Sequence, residues 1–322
     1  MHKIFNDKLV DAKFNNWVDK YAHWKIRPYL KLSRLDRPIG SWLLIIPCWW
    51  GLLLSTNSNF VSFDQGTLYI AAACYFGGIL MRGAGCTWND LTDSDLDAKV
   101  TRTKNRPIAS GQLSKKQALA WLMIQCLLAL GILITFNKLA ILLGFLSILT
   151  VLTYPFAKRF TYWPQFFLGI SFNWGILLSF AASSNSLTVH ALALYVSGIF
   201  WTIFYDTIYS LQDIEDDKKV GIKSTAILFG SKTKVILISF LLLTSGIMFF
   251  LFFSVAGQDI VHLIILECGT FAFSICLLIQ LITFNENDPN SCLRAFKANK
   301  QAGLILAFFL AIGTIYIQFH VQ

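Results

Sequence analysis

Charged residues are scarce in this sequence. They make up 14% of the 322 residues, whereas 55% of the residues are hydrophobic and the mean hydropathy is +0.57. A soluble domain has about 25% charged residues, so the composition excludes an ordinary soluble protein. The formal net charge of +9 is not gathered on a basic face with interleaved aromatic residues, which excludes a nucleic-acid-binding protein. The composition predicts a polytopic membrane protein.

Several motifs that carry chemistry in other proteins are also missing. The seven cysteines form no C-x-x-C pair and lie mostly in apolar runs, so we interpret them as small apolar residues. The five histidines are scattered without ligand spacing, and no G-x-G-x-x-G phosphate loop is present. The N-terminus has no secretory hydrophobic region, and its acidic residues argue against a transit peptide. Zinc, haem and disulfide frameworks therefore have no support.

The apolar residues fall into runs of a length that suits a bilayer. A helix needs about 20 mainly apolar residues to cross the hydrocarbon core. We therefore predict an all-α protein with nine transmembrane helices. The predicted spans cover residues 38–56, 67–87, 117–136, 139–156, 164–183, 189–209, 234–255, 259–283 and 302–320.

The positions of lysine and arginine predict the orientation of these spans. If the N-terminus lies in the cytoplasm, 25 of the 27 lysine and arginine residues fall in cytoplasmic segments, and only Lys138 lies outside and Arg82 within a span. Cytoplasmic loops are enriched in these residues. We therefore predict an N-in, C-out protein of the bacterial cytoplasmic (inner) membrane, with a net charge that matches anionic lipid headgroups.

The chain divides into two parts. In residues 1–30, apolar residues recur at spacings of three and four, with lysines between them. This pattern is typical of an amphipathic helix that lies in the membrane interface. We expect residues 1–30 to be an interfacial anchor and residues 31–322 to form the transmembrane domain.

An acidic stretch directly follows the second predicted span. It contains Asn89, Asp90, Asp93, Asp95 and Asp97. At 3.6 residues per turn, Asp90, Asp93 and Asp97 share one helix face, Asn89 flanks it, and Asp95 points elsewhere. The sequence thus predicts a cluster of carboxylates at the cytoplasmic end of this span.

A second acidic stretch follows the sixth predicted span. Asp213 and Asp217 are four residues apart, and Asp206 lies two turns earlier on the same face. Basic residues and a glycine follow, as they do after the first stretch. This is a weak internal repeat, consistent with two related halves and a ninth helix.

The two acidic stretches together predict a metal site. Clustered carboxylates repel one another unless cations lie between them. Mg²⁺ is held by a few carboxylates and completes its coordination with water and phosphate oxygens. The sequence therefore predicts a site for a Mg²⁺–diphosphate, the alternative being two solvated acidic loops.

Basic residues near the acidic stretches are candidate ligands for the substrates. Arg82 lies within the second span, close to the face of Asn89, and an arginine at that depth needs a polar cavity or a partner. Arg34 and Arg37 suit snorkelling anchors and ligand contacts equally well. Arginine also matches phosphate geometry, and the remaining candidates are Arg102, Arg106, Lys158 and Arg159.

These residues resemble the membrane-embedded aromatic prenyltransferases, in particular the branch that acts on 4-hydroxybenzoate. The family motif N-D-x-x-D-x-x-x-D matches Asn89, Asp90, Asp93 and Asp97, and the family motif D-x-x-x-D matches Asp213 and Asp217. The likeness runs from about residue 30 to residue 230. Further similar stretches are Arg37–Gly40, Arg82–Trp88, Asn105–Pro107, Tyr154–Phe156 and Gly221–Thr225.

The resemblance implies nine helices around a central cavity and a Mg²⁺-dependent transfer of a polyprenyl group from polyprenyl diphosphate to 4-hydroxybenzoate, a step of ubiquinone biosynthesis. The new bond forms at the ring carbon ortho to the hydroxyl. Asp90 or a metal-bound group is the expected base for the ring proton, and Arg82 the expected contact of the benzoate carboxylate. The expected Mg²⁺ ligands are Asn89, Asp93, Asp97, Asp213 and Asp217, and the other substrate contacts are Arg102, Arg106, Lys158, Arg159 and Asp206.

Two alternatives stay open at this point. Within the family, the acceptor is a naphthoate, homogentisate or haem instead. Outside it, the chain is a cation-coupled transporter, since carboxylates within membranes also mark ion pathways. Nothing in the sequence indicates an obligate protein partner.

Overall fold

The computed structural model describes residues 16–58, 61–100 and 103–320, and these form helices joined by loops. Two short 3₁₀ turns, Leu211–Asp213 and Gly230–Lys232, interrupt the later helices. The predicted all-α class is confirmed. The α-helices are α1 (Trp17–Tyr21), α2 (Arg27–Leu32), α3 (Ile39–Asn57), α4 (Gln65–Asp97), α5 (Lys115–Leu133), α6 (Lys138–Phe160), α7 (Pro164–Ser184), α8 (Val189–Ser210), α9 (Ile214–Val220), α10 (Thr225–Phe229), α11 (Thr233–Ala256), α12 (Ile260–Thr283) and α13 (Pro289–His320).

The described residues contain nine stretches that are long and apolar enough to cross a membrane. Seven are the single helices α3 to α7, α12 and α13; α8 with α9 forms the sixth span and α10 with α11 the seventh. The predicted number of spans is confirmed, whereas the N-in, C-out orientation stays a prediction. Helices α4 and α13 are longer than the predicted apolar runs, because a helix satisfies its own backbone and continues into polar residues beyond the hydrocarbon core.

Side-chain caps start several spans after short loops. Asp64, Ser114, Asn137 and Thr188 each accept a hydrogen bond from the backbone N–H three residues later, at the starts of α4, α5, α6 and α8. Such caps satisfy donors that the first helical turn leaves open. They define where each of these spans begins.

Aromatic residues hold the centre of the bundle together. The Trp50 and Trp201 ring centres lie 4.8 Å apart, and both rings pack edge-on against Phe273. The Trp50 indole donates to the Gly303 carbonyl at 2.9 Å and the Trp201 indole to Asn299 Oδ1 at 2.8 Å. Because a bilayer offers no water to these N–H groups, the bonds tie α3 and α8 to α13.

The interfacial anchor predicted for residues 1–30 lies partly outside the described residues, which begin at residue 16. In the described part, Trp17, Tyr21 and Trp24 are exposed, and the Trp17 indole donates to the Leu35 carbonyl at 2.8 Å. Exposed aromatic side chains beside the first span suit a membrane interface. The anchor and the boundary at residue 30 stay predictions.

Candidate active site

A cavity of about 300 Å³ lies among the ends of α4, α6, α8 and α13 and the loop between α2 and α3. Both acidic stretches open into it, as the sequence predicts. Asp90, Asp93 and Arg159 are not on its wall, and Arg102 lies outside the described residues. The predicted site residues on the wall are Arg82, Asn89, Asp97, Arg106, Lys158, Asp206, Asp213 and Asp217.

The first acidic stretch is the last part of α4. Asp90, Asp93 and Asp97 lie on one buried face and are 1%, 0% and 6% exposed, whereas the Asp95 side chain is 93% exposed. The predicted helix face is therefore confirmed. Asn89 lies beside this face, and its Oδ1 accepts a hydrogen bond from the Tyr154 hydroxyl at 3.2 Å.

Basic side chains cover this acidic face. Arg106 Nη1 lies 3.1 Å from Asp90 Oδ1 and 2.8 Å from Asp97 Oδ2. Lys158 forms an ion pair with Asp93, and Arg159 Nη2 lies 3.2 Å from Asp93 Oδ1. These cations offset the repulsion among the carboxylates, which allows three acidic groups to be buried together.

Arg34 also belongs to this site. The sequence alone leaves open whether it is a membrane anchor or a ligand contact. Its Nη2 donates to Asp90 Oδ1 at 2.6 Å and its Nη1 to the Lys31 carbonyl at 3.2 Å. Burial is the largest single influence on Arg34 and opposes its charged form, but the neighbouring acidic groups, Asp90 first, together outweigh burial and raise the pKa of Arg34 above its ordinary value. The Arg34 φ of 60° is left-handed, a strained conformation that is found most often at functional sites.

The loop between α2 and α3 is clamped by neighbouring helices. The Trp121 indole and the Gln125 amide of α5 donate to Ser33 Oγ at 2.8 and 2.9 Å. Burial raises the pKa of Asp36 above its ordinary value, although Arg37 and Arg34 act in the opposite direction. The loop thereby holds two arginines, Arg34 and Arg37, on the cavity wall.

Arg82 lies within span α4, on the wall of the cavity. Its guanidinium is 4.9 Å from the Phe172 ring centre. It forms no hydrogen bond or ion pair within the described part of the chain, and its Nε is buried. A Cβ at Gly40 would be 2.5 Å from Arg82 Nη2, so Gly40 lets the Arg82 guanidinium pack closely against α3. A buried guanidinium without an acidic partner is suited to bind an anion.

The second acidic stretch lies where α8 passes into α9. Asp206 belongs to α8, Asp213 ends the 3₁₀ turn, and Asp217 follows one turn later in α9. Glu215 is exposed and lies off the cavity wall. The α9 helix ends at Gly221, where φ is +73°, a conformation that glycine adopts without strain.

The oxygen groups on the wall fit a magnesium ion that is shared with a diphosphate. Carboxylates and a carboxamide are ligands that Mg²⁺ prefers, and it keeps positions for water and phosphate oxygens. No three His, Cys, Asp or Glu side chains among the described residues are grouped closely enough to hold a metal by themselves. The donor set therefore suits an ion that arrives with a substrate better than a complete protein cage.

A second cavity, of about 510 Å³, lies among α4, α5, α6 and α7. Its wall is almost entirely aliphatic and aromatic. It shares Arg82, Tyr154 and Phe172 with the first cavity, so the two spaces meet at these side chains. An apolar space beside a charged one suits a ligand with a polar head and an apolar body.

The chain resembles a known protein family and named members of it. The model of the UbiA prenyltransferase family matches residues 44–315. The chain is 43% identical over 307 residues to "4-hydroxybenzoate polyprenyltransferase, mitochondrial" of Arabidopsis thaliana. The matched residues cover 94% of this chain and 73% of that protein. It is 42% identical over 292 residues to the human protein of the same name, with 90% and 76% covered.

Solved structures show the same fold. A UbiA homolog from Aeropyrum pernix K1 superposes with a TM-score of 0.68 at 22% identity and covers 86% of this chain and 97% of its own. A UbiA homolog from Archaeoglobus fulgidus bound to GPP and Mg²⁺ gives a TM-score of 0.67 at 18% identity, with 90% and 99% covered. At these identities the likeness concerns the fold alone.

Proposed function

Since the chain belongs to the UbiA prenyltransferase family, we propose that it transfers a polyprenyl group from polyprenyl diphosphate to 4-hydroxybenzoate, at the ring carbon ortho to the hydroxyl. The product serves ubiquinone biosynthesis. The relatives named above carry the name of this activity. The observation that supports it most strongly in this chain is the meeting of two acidic stretches and several cations around one cavity.

We assign the diphosphate end of the substrate to the mouth of this cavity. Asn89, Asp97, Asp213 and Asp217 would hold Mg²⁺ there, and Asp93 would join them if Lys158 moves from it to a phosphate oxygen. When bound, Mg²⁺ neutralises negative charge that develops on the leaving diphosphate. The A. fulgidus homolog bound to GPP and Mg²⁺ supports this choice of ion.

The basic side chains of the wall would assist the same bond cleavage. Arg106 and Lys158 line the cavity beside Asp97, where their charges stabilise the departing diphosphate. Arg102, outside the described residues, keeps its predicted role as a further phosphate contact. Cleavage of the allylic C–O bond releases the diphosphate and leaves the prenyl carbon ready for attack by the electron-rich ring. Once the new C–C bond has formed, the substituted ring carbon loses its proton to the released diphosphate or to water, which restores the aromatic ring.

The acceptor would bind deeper, against Arg82. Its guanidinium has free N–H groups and forms no ion pair within the described residues, so it can pair with the benzoate carboxylate. Phe172 packs on the guanidinium face, and Nε and Nη2 lie against Gly40, so the carboxylate would pair with the N–H groups that face the cavity. This placement favours an acidic aromatic acceptor.

The prenyl tail would occupy the apolar cavity among α4, α5, α6 and α7. That cavity meets the charged one at Tyr154 and Phe172, so the reactive end of a chain lying in it would reach the diphosphate site. Burial of each methylene contributes about 0.8 kcal/mol. We therefore expect affinity to rise with the number of isoprene units that the cavity holds.

We place the protein in the bacterial cytoplasmic membrane, with the charged cavity open to the cytoplasm. The distribution of lysine and arginine supports this orientation. The names of the relatives place those proteins in mitochondria, which makes an organellar membrane the competing location. Protease protection of tags at both termini in sealed vesicles tests the orientation.

A direct assay tests the function. Membranes that contain the protein are incubated with labelled 4-hydroxybenzoate and prenyl diphosphates of several lengths, with Mg²⁺ or with EDTA. We expect a prenylated product that is lost with EDTA and returns with Mg²⁺. A product formed only from naphthoate, homogentisate or haem would contradict the assigned acceptor, and ion flux in vesicles without any product would favour a transporter.

A further inference from the structure

Asp90 lies behind the cavity wall. It is 1% exposed and is not part of the wall. Its Oδ1 accepts hydrogen bonds from Arg34 Nη2 at 2.6 Å and from Arg106 Nη1 at 3.1 Å. Both arginines line the cavity, so the two guanidinium groups stand between the carboxylate and any ligand in it.

We propose that Asp90 is a positioning residue, which holds Arg34 and Arg106 as a seat for the diphosphate, and that Arg34 is itself a diphosphate contact. The proposal rests on the proposed function above. It changes the role that the sequence suggests for Asp90, because a base or a metal ligand must reach the substrate. Asp90 instead acts through the two arginines that it orients.

The surroundings of Arg34 support a fixed seat. Its left-handed backbone, with φ at 60°, is held by contacts on both sides: Ser33 accepts two hydrogen bonds from α5, and the Leu35 carbonyl accepts one from Trp17. Arg34 Nη1 is also fixed, because it donates to the Lys31 carbonyl. A strained arginine that is held on all sides loses little freedom when an anion binds.

The two arginines also share the carboxylates of α4. Arg106 Nη1 bridges Asp90 and Asp97, at 3.1 and 2.8 Å. The second oxygen of Asp90 is buried and accepts no hydrogen bond within the described residues. All of the interactions described for the Asp90 side chain are therefore directed at the two guanidinium groups.

The proposal and simple charge attraction predict opposite changes in anion affinity when Asp90 is replaced by asparagine. An Asp90→Asn substitution removes one negative charge, so attraction alone predicts tighter binding of an anion. If Asp90 orients the seat, the same substitution weakens the bonds that hold both guanidinium groups in place, although Asp97 and the Lys31 carbonyl still contact them, and binding weakens. Because a charge-assisted hydrogen bond contributes strongly, we expect a loss of about tenfold in affinity.

The experiment measures binding of inorganic pyrophosphate by isothermal titration calorimetry, with the purified full-length protein in detergent and EDTA. We expect Asp90→Asn to bind about tenfold more weakly than the unsubstituted protein. Asp95→Asn is the matched control, since it removes the same charge from the exposed side of the same helix, and its affinity should be unchanged. Arg34→Gln should weaken binding to a similar extent. The variant that combines Asp90→Asn with Arg34→Gln should bind only slightly more weakly than either single variant, because both substitutions disturb the same interaction.

Four outcomes would overturn the proposal. Asp90 is a metal ligand if Asp90→Asn matches the control in EDTA and weakens binding only with Mg²⁺. Asp90 is a base if pyrophosphate binding is unchanged or tighter while product formation is lost. Additive effects of Asp90→Asn and Arg34→Gln would show independent roles, and no metal-free binding by the unsubstituted protein would show that no such seat exists.

Controls for folding and for product formation distinguish a failure of the seat from a failure to fold and from a failure of the proposed function. Thermal unfolding and size-exclusion elution report whether Asp90→Asn folds, and Arg34→Gln tests the seat if it does not. Product formation by the unsubstituted protein is measured with the same preparation. Pyrophosphate binding without any prenylated product would contradict the proposed function and leave the seat standing.

Discussion

The guanidinium carbon of Arg82 lies 4.9 Å from the centre of the Phe172 ring, at the point where the charged cavity meets the apolar one. The ring covers one face of the guanidinium and contributes a cation–π attraction of about 0.5–2 kcal/mol. The Nε and Nη2 atoms lie against Gly40, and Arg82 also lines the cavity. Arg82 therefore suits the carboxylate of an acidic aromatic acceptor, and Phe172 suits its ring.

Arg82→Gln should weaken binding of 4-hydroxybenzoate. A charge-assisted hydrogen bond is worth about 1.5–3 kcal/mol, so we expect KM for the acceptor to rise by about tenfold or more, while KM for the prenyl diphosphate changes little. Steady-state kinetics with each substrate varied in turn gives both values. An unchanged acceptor KM would remove Arg82 from the acceptor site.

The second acidic stretch offers a sharp comparison. Asp213 is on the cavity wall, whereas Glu215, two residues later, is exposed and faces away. We expect Asp213→Asn to reduce product formation by about 100-fold or more, because the loss of one ligand oxygen and its charge weakens Mg²⁺–diphosphate binding. Glu215→Gln should remain close to the unsubstituted rate. Equal rates for the two variants at saturating Mg²⁺ would contradict a metal site at Asp213.

Lys158 lines the cavity and Arg159 does not, although they are adjacent in the sequence and both pair with Asp93. The Lys158 side chain is 22% exposed and lines the cavity, whereas Arg159 is 45% exposed and lies over the Phe156 ring. Lys158→Met should lower kcat by about tenfold or more, because it removes charge beside the leaving diphosphate. Arg159→Met should change kcat by less than about threefold, and single-turnover rates measure both. The reverse order would assign the phosphate contact to Arg159.

The parts of the molecule that the sequence predicts best are those that depend on local periodicity. The nine predicted apolar runs correspond to nine spans among the described residues, and helical spacing correctly assigns Asp90, Asp93 and Asp97 to one face of α4. Periodicity assigns residues to a face, but it does not tell what packs against that face. Asp90 and Asp93 are covered by cations and do not line the cavity, and this could not be inferred from spacing.

Arg34 shows the limit most clearly. Its contact with Asp90 joins residues that are 56 positions apart, and it depends on a left-handed backbone that no local preference of arginine predicts. The hydrogen bonds to Ser33 come from Trp121 and Gln125 of α5. The sequence predicts that α5 is a span, but not that it packs against this loop. Tertiary contacts of this kind decide which of two equally reasonable roles, anchor or ligand contact, a basic residue has.

Close packing of α3 against α7 positions the two cavities, and it depends on Gly51. A Cβ at Gly51 would lie 2.2 Å from the Ile176 carbonyl oxygen and 2.6 Å from Ser179 Oγ, whereas a Cβ at Gly77 in α4 would meet nothing within 4 Å. Since the nearest obstacle is backbone, Gly51→Ala must push the two helices apart. Overpacking of this kind costs about 1–3 kcal/mol, and small residues are what allow such an approach in membranes.

We therefore expect Gly51→Ala to lower the midpoint of thermal unfolding in detergent, whereas Gly77→Ala should leave it unchanged or raise it, because alanine favours helix by up to about 1 kcal/mol. Gly51→Ala should also lower activity, since Phe172 on α7 and Gly40 on α3 both adjoin Arg82. Separation of α3 from α7 would move these two neighbours apart and loosen the acceptor site. Equal midpoints for the two variants would show that α3 and α7 can separate without cost, and the packing argument for the position of Arg82 would then be wrong.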